Sequence, residues 1–218
     1  EDAVESAKAG VDFIGLVFVP GRRRTLTDES AQAIVEANRN RLGTAPEIVG
    51  LFADQPIDEI NKLVSRYRLD MVQLCGNESS NYCSAVKVPV IKVIHVGMES
   101  ICNDLLEKLT KKIDYFVDQG CIITLDRLVE GLQGGTGKPF DWRIAEYLKG
   151  SGYDFILAGG LTPENVCDAV RRVNPWGVDV SSGVEKNGVK NAQKIHLFVK
   201  RTLLGFKEVK GKKDCRHG

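Results

Sequence analysis

Two short segments in the last third of the chain have the make-up of anion-holding turns. Leu157-Ala158-Gly159-Gly160-Leu161-Thr162-Pro163 leads from an apolar run into a helical pattern, and Asp179-Val180-Ser181-Ser182-Gly183-Val184-Glu185 follows the next apolar run. Glycine lets a backbone come close to a ligand, and N–H groups left free where a helix begins favour a negative charge. One such loop is as readily an ordinary tight turn between strand and helix. Two in succession favour a phosphate, held largely through the backbone of Gly159, Gly160, Ser182 and Gly183. A third glycine cluster, Gly134-Gly135-Thr136-Gly137, precedes Phe140-Asp141-Trp142. It would suit a lid or a third wall of the anion site. By itself it reads better as a surface loop.

The elements that would carry these loops repeat along the chain, a short apolar run followed by an amphipathic helical stretch. That is the pattern of a parallel sheet with covering helices. After a helical opening at Asp2 to Ala9, strand-like runs fall at Phe13–Val19, Ile48–Ala53, Met71–Cys75, Val90–Val96, Phe155–Ala158 and Gly177–Val180, with a double candidate between Tyr115 and Asp126. These runs are continuously apolar rather than alternating, as expected of strands buried on both faces. Ile57, Ile60, Leu63, Val64 and Tyr67 share one helical face, as do Val166, Ala169, Val170 and Val173. Thr27 and Thr162 are placed to cap helices, the latter with Pro163 at the first helical position. Seven strands and eight helices result, the last helix spanning Ala192–Leu204. Either a barrel lacking one strand or an open doubly wound sheet accommodates that number. Residues 205–218 are lysine-rich without an apolar period and read as a disordered tail, leaving residues 1–204 as one domain.

At 218 residues with 43% hydrophobic content, the chain is long enough for a sizeable core. Its 30 basic and 29 acidic residues give a net charge of +1, which offers no electrostatic reason to expect nucleic acid or a membrane surface as partner. No apolar run approaches the ~18 residues of a membrane span. Six scattered cysteines without a C-x-x-C pair read as reduced thiols of a cytoplasmic protein, and three histidines at no ligand spacing argue against a metal.

Five motifs in order make the reading more specific. They are Phe18-Val19-Pro20 leading to Arg24, then Val72-Gln73-Leu74-Cys75-Gly76-Asn77-Glu78, the Gly134-to-Trp142 segment, Leu157 through Val166, and Gly177 through Glu185. Together, over Glu1 to about Leu204, they resemble the phosphoribosylanthranilate isomerase family of tryptophan biosynthesis. The resemblance implies a (β/α)8 TIM barrel that converts a phosphorylated aldosylamine of anthranilate into a ketose amine. An acid opens the sugar ring, a base removes the C2 proton, and the iminium between them is its own electron sink, so no cofactor is implied. The family's acid is an aspartate at the end of strand six. Asp118 follows helix five at the expected distance, whereas Asp126 has the usual spacing to the Gly134 loop; Asp126 is preferred and Asp118 kept as the alternative. Arg24 matches the arginine that faces the anthranilate carboxylate and is preferred over its neighbours Arg22 and Arg23, although a run of three arginines is by default a solvated loop. Cys75 stands where relatives have histidine, near the substrate. Gly135 and Asp179 also fall at substrate-contacting positions, Asp179 on the ribose and phosphate side.

The family's base is a cysteine in a K-x-C-G motif on the first strand, and these 218 residues contain no such motif. The expectation is therefore a barrel without its first strand, with Phe13–Val19 and Gly177–Val180 as unpaired edges and poor folding of this segment alone. A vestigial phosphosugar-binding barrel is the competing reading. A sister phosphate barrel such as indole-glycerol-phosphate synthase fits the G-G-T-G and D-V-S-S-G motifs less well. Fusion to other tryptophan-pathway domains is compatible with all of this.

Overall fold

The computed structural model of the chain describes residues 1–40, 45–97, 101–127 and 141–214, the last three as backbone only. Its elements alternate as the apolar runs require: α1 (Asp2–Ala9), β1 (Phe13–Val17), α2 (Asp28–Arg39), β2 (Glu47–Phe52), α3 (Ile57–Tyr67), β3 (Met71–Leu74), α4 (Ser80–Ser84) and β4 (Val90–Val96). There follow α5 (Asn103–Val117), β5 (Ile122–Arg127), α6 (Trp142–Gly150), β6 (Ile156–Leu157), α7 (Val166–Val173), β7 (Gly177–Val178), a hairpin of β8 (Glu185–Lys186) and β9 (Val189–Lys190), and α8 (Ala192–Asp214). Sheet order is chain order, β1 to β7, and the pairings around β1–β4 and β5–β7 are parallel. The residues cluster into two compact units, one of residues 1–93 and 113–123, the other of residues 94–112 and 124–218.

In the first unit β2, β3 and β4 bury most of their residues, whereas β1 buries only Ile14 and Leu16. Ile48, Val49 and Phe52 of β2, Val72 and Leu74 of β3, and Val90 and Ile91 of β4 are all in the core. Helix α3 turns Ile60, Val64 and Tyr67 inward, the face read from the sequence. The Thr27 hydroxyl caps α2 by accepting from Ser30 N–H. In the second unit α7 buries Val166, Ala169, Val170 and Val173. Its regular turns begin at Val166 rather than at Pro163, because Thr162 and Asn165 first make a turn of their own, with Thr162 N–H donating to Asn165 Oδ1 at 2.8 Å.

Two expectations are corrected here. Tyr115-Phe116-Val117 is the last turn of α5 and not a strand, which leaves one strand, β5, where two candidates stood. Leu106, Leu109, Ile113 and Phe116 recur at helical spacing and are all buried, so the helical period overrides the strand preference of that tripeptide. Helix α8 also continues past Leu204 to Asp214. Gly205 is the reason: it lets α8 press on α7, where a Cβ would lie 2.9 Å from Val170 Cβ and 3.1 Å from the Cys167 carbonyl oxygen. The Arg171 guanidinium then grips the Glu208 carboxylate through two N–H groups.

That contact sets up a comparison of two helical glycines. Alanine favours a helix interior by up to about 1 kcal/mol over glycine, and Gly211 has nothing within 4 Å, so Gly211→Ala raises stability. Gly205→Ala lowers it by about 1–3 kcal/mol, because overpacking exceeds the propensity gain. Urea unfolding of both variants checks this; a stabilised Gly205→Ala would mean that α8 is not docked there.

Candidate active site

The second unit assembles most of the chemistry. β5, β6 and β7 run in register, Leu125 opposite Leu157 and Leu157 opposite Val178. The next backbone bonds, Ala158 N–H to Leu125 O at 2.8 Å and Asp179 N–H to Leu157 O at 2.9 Å, carry that register to the strand ends. Asp126, Ala158 and Asp179 therefore stand level where the chain leaves the sheet.

Asp126 is part-buried. Desolvation pushes its carboxyl above the ordinary carboxylate range, and the charge of Asp179 pushes the same way. The Arg127 N–H, 2.7 Å from Asp126 Oδ1, and His95 pull less strongly in the opposite direction. Asp179 combines an exposed surface with dense protein around it. The surrounding protein raises its carboxyl too, while solvent, Lys190 and the Val180 N–H moderate the effect. A carboxyl whose pKa is raised by burial and a neighbouring carboxylate, at the end of a strand, is a candidate proton donor.

The glycine loops lie against these carboxylates. Gly159 and Gly160 have φ of 81° and 71°, a left-handed backbone that other residues rarely adopt. At Gly159 a Cβ would also come within 2.7 Å of Arg127 N and 2.9 Å of Asp126 Oδ1, so only glycine lets the loop pass over the acid. Asn165 closes the loop, its Nδ2 donating to the Gly160 carbonyl at 3.0 Å. The Ser181–Val184 turn contains a short 3-10 helix at Ser182–Val184. It packs so tightly on the first loop that a Cβ at Gly183 would overlap the Leu161 carbonyl oxygen. Gly159, Gly160, Ser182 and Gly183 thus belong to one cluster, with the Lys190 ammonium donating to the Ser181 carbonyl at its edge.

In the first unit, Arg24 ends a turn fixed by Thr25, whose N–H donates to Arg22 O at 3.0 Å. Of the three successive arginines it alone is part-buried, while Arg22 and Arg23 are exposed. Cys75 follows β3, with its N–H donating to Phe52 O at 2.8 Å and Gln73 Nε2 3.7 Å from its thiol. Asp118, the alternative acid, sits exposed in the turn after α5 and ends no strand. Gly135 lies outside the described residues, as does the rest of its loop up to Phe140. Asp141 caps α6 through Arg143 N–H at 3.0 Å, the helix-start role read for it. Among the described residues no group of His, Cys, Asp and Glu is arranged to hold a metal ion, and no helix is long and apolar enough to cross a membrane.

Comparison with known proteins gives this arrangement its family. The profile described as N-(5'-phosphoribosyl)anthranilate (PRA) isomerase matches residues 1–201. The chain belongs to the PRA isomerase family. One relative, the N-(5'-phosphoribosyl)anthranilate isomerase of Dehalococcoides mccartyi, is 40% identical over 98% of this chain and 94% of its own length. Among solved structures, the phosphoribosyl anthranilate isomerase of Thermus thermophilus is 33% identical with a TM-score of 0.74, covering 93% of each chain. A phosphoribosyl anthranilate isomerase in complex with reduced 1-(o-carboxyphenylamino)-1-deoxyribulose 5-phosphate is 30% identical with a TM-score of 0.74, covering 93% of this chain and 92% of its own. The α/β fold with its parallel strands is that of the PRA isomerases.

Sequence reasoning overlooked Asn165, His95 and, in the first unit, Lys92 and Glu78. Lys92 carried a usable signal, since a lysine flanked by Val90, Ile91, Val93 and Ile94 in a strand demands a buried partner.

The raised carboxyls have a consequence for stability. Folding favours their acid forms, so their contribution is fully present below the ordinary carboxylate value of 3.8 and is lost as pH rises through the raised values. Asp179→Asn therefore raises the melting temperature near neutral pH, by an amount that shrinks toward about pH 4. The same substitution moves the Asp126 titration, followed by carboxyl NMR, to lower pH. A melting temperature that falls at neutral pH, with Asp126 titrating unchanged, would refute the coupling.

Proposed function

We propose that the chain isomerises N-(5-phosphoribosyl)anthranilate to 1-(2-carboxyphenylamino)-1-deoxyribulose 5-phosphate, with Asp126 as the general acid. The observation that carries this reading is a part-buried carboxyl with a raised pKa at a strand end, directly under a glycine loop. In the acid form Asp126 gives its proton to the furanose ring oxygen as the bond from that oxygen to C1 breaks. The electron pair of that bond stays on the oxygen, and the anthranilate nitrogen forms the C1 iminium. Loss of the C2 proton to a base sends electrons into the iminium, and the resulting enol amine gains a proton at C1 as C2 becomes a ketone. Atoms balance without an oxidant or reductant. The family assigns the C2 base to the cysteine of a K-x-C-G motif that these 218 residues do not contain.

The remaining roles follow from charge. Backbone N–H groups of Gly159, Gly160, Ser182 and Gly183 suit a phosphate, and the nearby Lys190 adds positive potential. Asp179 serves the ribose hydroxyls, and its charge adds to desolvation in favouring the acid form of Asp126. Arg24 takes the anthranilate carboxylate, for which a planar guanidinium fork is the natural partner. Cys75 contributes a small thiol on the substrate side of β3, and Gly135 belongs to the segment expected to flank the substrate.

In the native protein, Asp126→Asn keeps the shape but removes the proton, so kcat falls by about 10²–10⁴-fold while Asp118→Asn leaves turnover unchanged. Steady-state turnover of N-(5-phosphoribosyl)anthranilate checks both. An active Asp126→Asn variant would remove the acid from this assignment, and an inactive Asp118→Asn variant would transfer it.

A further inference from the structure

Lys92 lies in the middle of β4 and is only 2% exposed. An ammonium at such a depth is costly unless every donor is satisfied. Here all three are: Nζ donates to Glu78 Oε2 at 2.7 Å, to the Gly76 carbonyl at 2.7 Å and to the Leu74 carbonyl at 3.3 Å. The Phe116 ring lies 5.6 Å from Nζ on another side. Glu78, 6% exposed, uses its carboxylate as fully, with Oε1 accepting from Asp54 N–H at 2.8 Å and Oε2 accepting from Gly76 N–H at 3.1 Å as well as from Lys92.

Apart from each other, the two charges bond only to backbone atoms, and all of these belong to the ends of β2 and β3 or the turns that follow. Asp54 completes the link by accepting from Asn77 N–H at 2.7 Å. The turns depend on this support. Asp54 is held at φ 58°, an unfavourable value for a residue with a side chain, and a Cβ at Gly76 would run into the Asp54 carboxyl. From there Gln55 extends the network, its Oε1 accepting from Ala53 N–H and its Nε2 donating to the Phe18 carbonyl, both at 3.3 Å. Tyr82 fixes Gln55 in turn through its hydroxyl, 2.5 Å from the Gln55 carbonyl.

Stability alone is a poor account of this pair, because apolar residues of similar volume usually serve a core as well as a buried ion pair does. What the pair supplies is geometry, at the strand ends where (β/α)8 enzymes keep their chemistry. We propose that Lys92 and Glu78 are positioning residues for substrate binding. They hold the turns after β2 and β3 in place, and with them Cys75, Gly76 and Asn77. This inference rests on the isomerase reading given above.

The test replaces both charges together, as Lys92→Met with Glu78→Leu in the native protein, so that no unpaired buried charge remains to unfold it. The expected double variant melts cooperatively near the wild-type temperature, yet its KM for N-(5-phosphoribosyl)anthranilate rises about tenfold. Inhibition by inorganic phosphate, which draws on the second unit's glycine loops, stays unchanged. Amide hydrogen exchange at Cys75 and Asn77, neither of which bonds to the pair, quickens about tenfold. Wild-type kinetics and wild-type exchange in a folded double variant would make the pair purely structural and overturn the proposal, as would a loss of phosphate inhibition in step with KM. If the wild-type protein itself failed to isomerise the substrate, the functional reading would fail. The exchange rates would still decide whether the pair holds these turns.

Discussion

Two backbone hydrogen bonds, from Ala158 N–H to Leu125 O and from Asp179 N–H to Leu157 O, govern what the second unit can do. A strand places successive side chains on opposite faces, so a slip of one residue in either pairing would turn an aspartate to the wrong side. With register kept, Asp126 and Asp179 come out side by side, and the charge of Asp179 adds to desolvation in raising the Asp126 carboxyl. The strands themselves are brief, two residues each in β6 and β7. Their alignment is therefore sustained less by ladder length than by the buried faces on either side, Phe155, Ile156 and Leu157 among them.

The two units treat their charged groups differently. In the second, desolvation and the charge of Asp179 both push the part-buried Asp126 carboxyl above its ordinary range. In the first, Lys92 and Glu78 face each other and are ringed by backbone donors and acceptors, which fixes the position of both side chains. The contrast lies in the neighbours: an ammonium beside a carboxylate and two carbonyls is held in place, whereas a carboxyl pressed by another carboxylate has its pKa raised.

Much of this was legible in the sequence. The continuous apolar runs marked the strands, Thr27 marked a helix start, and the glycine turns after Leu157 and Val178 marked two loops that pack on each other. The acid was ambiguous because Tyr115-Phe116-Val117 has the composition of a strand, and only the burial of Ile113 and Phe116 on a helical face settles it as α5. The end of α8 was missed for the opposite reason. Its docking past Leu204 depends on the absence of a side chain at Gly205, which leaves no apolar period to read. Lys92 was passed over because a single lysine does not disturb the pattern of a strand, and its partner Glu78 comes from a turn fourteen positions earlier.

The overlap that a side chain at Gly183 would make with the Leu161 carbonyl has a meaning for how this family can diversify. Two loops in contact through bare backbone have no side chains between them to act as adjustable spacers. They behave as one mechanical part, and a shift in either is transmitted to the other without attenuation. Tuning the anion cluster for a differently shaped ligand would thus take paired changes in separate stretches of sequence. Single substitutions would explore very little of that space, which leaves novelty to other parts of the chain.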